Sequence, residues 1–281
     1  MLKQRVITAL VLVALLLGSL VVATPWPVAL LTLALMPAAG WEWARLNQAG
    51  PLLAIALGAL VGLGAALAAA AGWTARAPPL LWWLVTAVWL VFGSVALRRG
   101  TSSWPRVPRW LRWALGLAGL WAAWLALTQA RAIGINFMLS LLCVVWMADV
   151  AAYFGGKAFG RRKLAPAISP NKSWEGVWSG MAGVVLLAMF WIWLDGRISV
   201  DGPSVFSRLL QLLGPAGWVA ALLALCAFSV VGDLIESMIK RAAGAKDSSR
   251  LLPGHGGVLD RVDALLPVLP AALALLGWSR L

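Results

Sequence analysis

Apolar runs of about 18–22 residues recur along the chain, the length at which an α-helix crosses a hydrocarbon core of roughly 30 Å. The sequence of 281 residues is 62% hydrophobic and only 12% charged. So many runs without a polar face exceed what a soluble core can bury, and the implied fold class is all-α, a polytopic transmembrane helical bundle. About nine spans fit, near residues 6–23, 27–44, 51–72, 80–97, 113–130, 132–153, 177–195, 215–236 and 258–278. With the N-terminus inside, 18 of the 23 Lys and Arg residues fall on the cytoplasmic side, and Arg76, Arg131, Arg197, Arg208 and Arg280 on the other. Basic residues concentrate in cytoplasmic loops, so the expected topology is N-in/C-out.

The same distribution removes one reading of the formal charge of +13. The basic residues lie in short loops rather than on one soluble face, so nucleic acid is not an expected partner. The basic start, its apolar run and Val21-Val22-Ala23 resemble a signal peptide, but cleavage would leave eight spans and spoil the charge asymmetry. Cys143 and Cys226 lie inside apolar runs and imply neither a disulfide nor a thiolate metal site. Trp26, Trp41, Trp43, Trp73, Trp104, Trp110, Trp191 and Trp278 fall near span ends and read as interfacial depth markers. The chain shows no internal repeat of the kind that transporters carry.

The acids divide the chain. Residues 1–130 contain one, Glu42, and read as an N-terminal transmembrane scaffold of about five spans. Residues 131–281 read as a catalytic transmembrane region with two cytoplasmic loops, 154–176 and 237–257. Asp149, Glu175, Asp233, Glu236, Asp247, Asp260 and Asp263 all lie in or beside those loops. An isolated charge near hydrocarbon costs roughly 2.5–3.5 kcal/mol on insertion scales, so such a concentration marks a site.

Asp233, Glu236, Ser237 and Lys240 share one helical face at the end of span eight. Asp233 directly follows an apolar run, where a carboxylate is costly without a partner or cation. Asp260 and Asp263, three apart, share a face on the entry to span nine. Carboxylates converging from two spans suit Mg²⁺, a small hard cation that completes its shell with water and substrate phosphates. The plain alternatives are a helix end leaving the membrane and a helix-start acid near the positive dipole end. Between the two helices, AGAKDSSRLLPGHGG at 243–257 supplies an irregular backbone with N–H groups available to phosphate, and Lys246, Arg250 and Arg261 supply neutralising charge. Ordinary turn glycines are the alternative there. His255, the only histidine, sits between glycines, which leaves it exposed to solvent or ligand.

In the earlier loop, Asp149 and Tyr153 are one turn apart, and Ser169, Lys172, Ser173 and Glu175 precede span seven. Gly155-Gly156-Lys157 lacks the spacing of a Walker A loop, which excludes a P-loop. Lys157, Arg161, Arg162 and Lys163 read as topology determinants that also attract anionic lipid.

Ser237, Lys240-Arg241, Lys246-Asp247, Ser249, Leu252-Pro253, His255-Gly256-Gly257, Asp260-Arg261 and Asp263 together resemble the C-terminal signature of phosphatidate cytidylyltransferases, the CDP-diacylglycerol synthases. Asp149, the run SPNKSWEG at 169–176 and Gly232-Asp233 resemble further motifs of that family, so the resemblance covers roughly residues 132–278. It implies an enzyme of phospholipid biosynthesis in a bacterial cytoplasmic membrane, with its active site on the cytoplasmic side. CTP and phosphatidate would be the substrates, CDP-diacylglycerol and pyrophosphate the products, and Mg²⁺ the cofactor, with a second cation left open. Membrane lipid is a further expected partner, and the resemblance allows a homodimer. It points to Asp233 and Asp260 as metal carboxylates, beside Asp149 and Glu236. Asp233, Lys240, Asp247, Asp260 and Asp263 are then the candidate catalytic residues. The candidate substrate-binding residues are Ser169, Lys172, Ser173, Glu175, Ser237, Arg241, Lys246, His255, Gly256, Gly257 and Arg261. A CTP-dependent lipid-alcohol kinase is the alternative enzyme. A transporter would carry its charges at mid-span rather than at one edge.

Overall fold

Hydrocarbon offers backbone N–H and C=O groups no partner, so apolar runs must close their own hydrogen-bond ladders as helices. The computed structural model describes residues 2–277, with side chains from Ile7 onward except at Ala9 and Leu12. The side chains of Lys3 and Arg5 lie outside the described set, as do Trp278 and Arg280. Ten helices follow one another among the described residues, numbered α1 to α10: Leu2–Leu20, Trp26–Leu46, Pro51–Ala70, Pro79–Arg99, Arg109–Ile133, Ile135–Phe159, Trp174–Asp195, Val205–Ala242, Leu259–Val262 and Leu265–Gly277. Proline opens several of them, at Pro51 and Pro79 for instance, where its missing N–H belongs to a group no helix satisfies anyway.

Six helices, α3 to α8, are long and apolar enough to cross a membrane, which makes the chain an integral membrane protein. The Leu, Ile and Val side chains that α3 and α4 turn outward, such as Leu52, Ile55, Leu60, Leu80 and Val91, are exposed on the bundle surface, where lipid would cover them. Three further helices flank the six: α1; α2, which carries Glu42 and Pro37; and α10, only 13 residues long. The expected span over 258–278 is in fact divided at Asp263-Ala264 into α9 and α10. Pro267 explains the break. It has no N–H to return and its ring crowds the carbonyl four residues back, so it is accommodated only in the first turn of a new helix. The interruption thus falls where the Asp263 carbonyl would have met the N–H that Pro267 lacks, while Pro270 is carried inside α10.

Two other expectations change. The chain is nearly rather than wholly α: β1 (Lys163–Ala165) and β2 (Ser169–Ser173) form an antiparallel hairpin, with Lys163 opposite Ser173 and Ala165 opposite Ser169. Pro166 and Pro170 disfavour helix there, and the Ile168 N–H closes a turn on the Ala165 carbonyl. The stretch 206–213, outside the expected spans, is helical and turned inward, with Phe206 and Leu209 fully buried. It joins the rest of α8 across Gly214, whose φ of 66° and following Pro215 break the axis.

The tryptophans do more than mark depth. Trp43 and Trp104 are buried, and their indole N–H groups donate across the bundle, Trp43 to the Arg112 carbonyl at 2.8 Å and Trp104 to Asn47 Oδ1 at 2.9 Å. Trp191 donates to Asn136 Oδ1 at 2.9 Å. Such bonds satisfy a donor that hydrocarbon would leave unpaired. At the end of the bundle that carries these last contacts, Asp195 accepts from Ser204 N, Ser204 Oγ, Ser207 Oγ and Asn136 Nδ2, between 2.6 and 3.0 Å. That end holds the 196–204 loop. The other end holds the hairpin, against α7 and α8, and residues 243–258, against α2 and α9.

Candidate active site

The two loops singled out in the sequence converge. Lys172 on β2 places its Nζ 2.5 Å from Asp233 Oδ2 on α8, and Ser237, one turn further on, donates to Asp233 Oδ1 at 3.2 Å. Lys240, two turns beyond Asp233, ion-pairs with Glu236 and reaches Asp260 Oδ1 at 2.6 Å. Lys240, Glu236 and Asp260 are all largely buried, with side-chain exposures of 12%, 3% and 5%. A set this dry persists only where its members neutralise one another, and the ion pair with Lys240 is what the Glu236 carboxyl has, its two oxygens making no hydrogen bond among the described residues.

Asp260 organises the segment that precedes it. Its Oδ2 accepts from the N–H groups of Ser248 at 2.9 Å and Gly257 at 2.8 Å, and from Ser248 Oγ at 2.9 Å. Burial disfavours the Asp260 carboxylate, and the Lys240 ammonium and these backbone donors offset that cost. The N–H of Gly257 is therefore engaged within the protein rather than open to phosphate. Gly257 is also the one residue type that fits: a Cβ there would lie 2.0 Å from Ser248 Oγ and 2.4 Å from Glu42 Oε1.

Glu42, which the sequence reading assigned to the scaffold, belongs to this cluster. Its fully buried carboxylate accepts from Ser249 Oγ at 2.5 Å, Leu259 N at 2.7 Å, Val258 N at 3.0 Å and Ser248 Oγ at 3.1 Å. Its being the single acid among 130 otherwise scaffold-like residues was the signal that could have marked it. Ser248, absent from the expected site, bridges Glu42 and Asp260.

The remaining candidates fall into two groups. Lys246, Asp247, Arg250, His255, Gly256 and Arg261 line a cavity of about 920 Å³. His255 is less open than expected: it is half-buried, and its Nδ1 faces inward without a hydrogen-bond partner. Ser173, Glu175 and Arg241 make local contacts. Ser173 caps α7 by accepting from the Gly176 N–H at 3.2 Å, and Glu175 receives the N–H groups of Arg161 and Arg162, which ties the hairpin to that helix. Arg241 donates to the Ala245 carbonyl at 3.2 Å. Ser169 begins β2, opposite Ala165.

Asp149 on α6 feels the charges of Asp233 and Lys172, and Asp263 those of Asp233, Lys240 and Asp149. Mutually repelling hard-oxygen donors suit Mg²⁺ by chemistry. In the arrangement present, lysines hold Asp233 and Asp260, and among the described residues no three acidic, histidine or cysteine side chains gather closely enough to hold an ion.

Known proteins of the same kind cover the whole chain. A phosphatidate cytidylyltransferase of Pseudomonas aeruginosa is 40% identical over 296 aligned positions, spanning 99% of both chains. One of Haemophilus influenzae is 36% identical over 294, spanning 96% of both. One of Staphylococcus aureus is 42% identical over 144, spanning 50% of this chain and 49% of its own. The sequence profile described as "Cytidylyltransferase family" matches residues 3–278, and with matches of this extent the chain belongs to that family.

Proposed function

We propose that the protein transfers the cytidylyl group of CTP to phosphatidate, forming CDP-diacylglycerol and pyrophosphate, in a bacterial cytoplasmic membrane and on its cytoplasmic side. The observation that carries this reading is the signature segment 243–263, folded around a basic cavity at one end of an apolar bundle and matched along the chain by relatives named for that activity. A site at a bundle end is reachable by a soluble nucleotide and by a lipid head group alike. Nine spans with N-in/C-out topology remain the arrangement that best accounts for the distribution of Lys and Arg.

The reaction needs no covalent intermediate. A phosphate oxygen of phosphatidate attacks the α-phosphorus of CTP in line, the bond from that phosphorus to the β-phosphate bridging oxygen breaks, and pyrophosphate leaves with the electron pair. A phosphomonoester is already largely dianionic above about pH 6, so no side chain has to deprotonate it. Catalysis then consists of alignment and charge neutralisation. Lys246, Arg250 and Arg261 neutralise the triphosphate, with His255 and Gly256 shaping the wall beside it and Gly257 buried behind them on Asp260. Lys172, with Ser169 and Ser173 behind it on the hairpin, meets substrate phosphate opposite Asp233. Asp233 and Asp260 are the proposed ligands of Mg²⁺, with Asp149 and Glu236 beside them and a second cation accommodated. The ion would supply charge stabilisation at the reacting phosphates.

Label fate tests the reaction. With purified protein, label in the α-phosphate of CTP should enter the lipid product, and γ-label should leave as pyrophosphate. Transfer of γ-label to the lipid with release of CDP would establish a kinase instead. Chelation by EDTA should abolish turnover and added Mg²⁺ restore it; full activity in EDTA would remove the metal from the scheme.

A further inference from the structure

The geometry points to Glu42 as a positioning residue for CTP, acting through Ser248 on Asp260. This rests on the placement of Asp260 in the active site proposed above. A carboxylate on a membrane helix that is fully buried must have its lone pairs satisfied, and four donors within 3.1 Å do so here. All four belong to residues 248–259, the segment that lines the basic cavity and leads into Asp260, and the hydrogen bonds of the Glu42 side chain join α2 to that segment alone. Two of the donors, Val258 N and Leu259 N, open α9 and the other two belong to the loop before it, so the carboxylate fixes the start of that helix and the loop together.

Ser248 makes the link to the chemistry specific. Its Oγ lies 3.1 Å from Glu42 Oε2 and 2.9 Å from Asp260 Oδ2, and its one proton can serve only one of them at a time. Its N–H, in turn, donates to Asp260. The two carboxylates therefore share a clamp, and Gly257 passes between them where no side chain fits. Withdrawing the Glu42 charge loosens Val258 and Leu259 from α2 and frees Ser248 to turn toward Asp260, which shifts the Asp260 carboxylate and the cavity wall together.

Steady-state kinetics of Glu42→Gln, Ser248→Ala and the double variant test this. Glu42→Gln keeps the shape but replaces one acceptor oxygen with a donor. The expected result is a rise in KM for CTP on the order of tenfold with KM for phosphatidate unchanged, since hydrogen bonds to a charged group are lost on the nucleotide side only. Glu42→Asp, which retains the charge, should recover part of that rise. Because part of the Glu42 effect passes through Ser248 and part through Val258 and Leu259, the double variant should raise KM for CTP by less than the product of the single effects. A merely structural role would lower the folded fraction, and hence the apparent kcat, with KM for CTP unmoved, and that result overturns the inference. Strictly multiplicative effects in the double variant overturn it as well. Should Glu42→Gln fail to fold, Ser248→Ala decides alone: an unchanged KM for CTP overturns the inference, and a raised one supports it. Asp260→Asn separates the two levels. Wild-type turnover in that variant removes the premise about the site, whereas its inactivity beside a wild-type Glu42→Gln overturns the Glu42 role alone.

Discussion

Lys172 and Lys240 each sit on a carboxylate proposed to serve the reaction, Asp233 and Asp260 respectively. Replacing Asp233 takes the ion-pair partner from Lys172, replacing Asp260 leaves Lys240 with Glu236 alone, and either change removes a hard oxygen donor. Asp233→Asn and Asp260→Asn should each reduce kcat by about 100-fold or more, within the range seen when a group stabilising transition-state charge is lost. Near-normal turnover at saturating Mg²⁺ would take that residue out of the site. Lys172→Ala and Arg162→Ala form a second comparison between hairpin neighbours. Arg162 is 78% exposed and paired with Glu175 at 3.4 Å, a surface contact that solvent screens. Activity should fall much further for Lys172 than for Arg162, and equal small losses would return Lys172 to a topological role. At this scale the sequence revealed which residue types mattered but not their partners. Lys172 and Asp233 were both legible, yet they stand 61 positions apart and their pairing follows only from the packed hairpin. Glu42 was less legible still, because its donors lie 206 to 217 positions away.

Helix periodicity and run length placed the long apolar elements correctly, since burial of backbone groups dictates them. It could not place what proline and close contact decide. The 160–173 segment folds as a hairpin, and the expected ninth span divides before Pro267, because backbone restrictions override an apolar composition in both places. The 243–258 segment was read correctly as irregular, but three of its N–H groups, at Ser248, Gly257 and Val258, turn inward to carboxylates. That packing makes a sharp prediction for Gly257→Ala. The added methyl overlaps Ser248 Oγ and Glu42 Oε1, so stability should drop on the order of 1–3 kcal/mol, read as a lowered Tm, together with activity. Gly50→Ala is the control: a methyl there meets nothing within 4 Å, and both measurements should stay near wild type.

Across the whole molecule, the distribution of Lys and Arg predicts sidedness that labelling can check. Ser102→Cys lies beyond α4 on the proposed cytoplasmic side and Ser199→Cys beyond α7 on the opposite one. A membrane-impermeant maleimide should modify Ser199→Cys in intact cells and Ser102→Cys only after permeabilisation, above the background of Cys143 and Cys226; the reverse pattern would invert the topology. The sequence separated a plain first half from a chemically rich second, and the signature residues do lie in the second. The partition is one of composition rather than of construction. Glu42 reaches from α2 into residues 248–259, and α10 packs on α4 and α5. The signature is therefore not a portable cassette. A fragment of residues 131–281 would keep every signature residue yet lack the carboxylate on which Val258 and Leu259 rest, and grafting the motif onto another apolar bundle would transfer letters without the surface that gives them their shape.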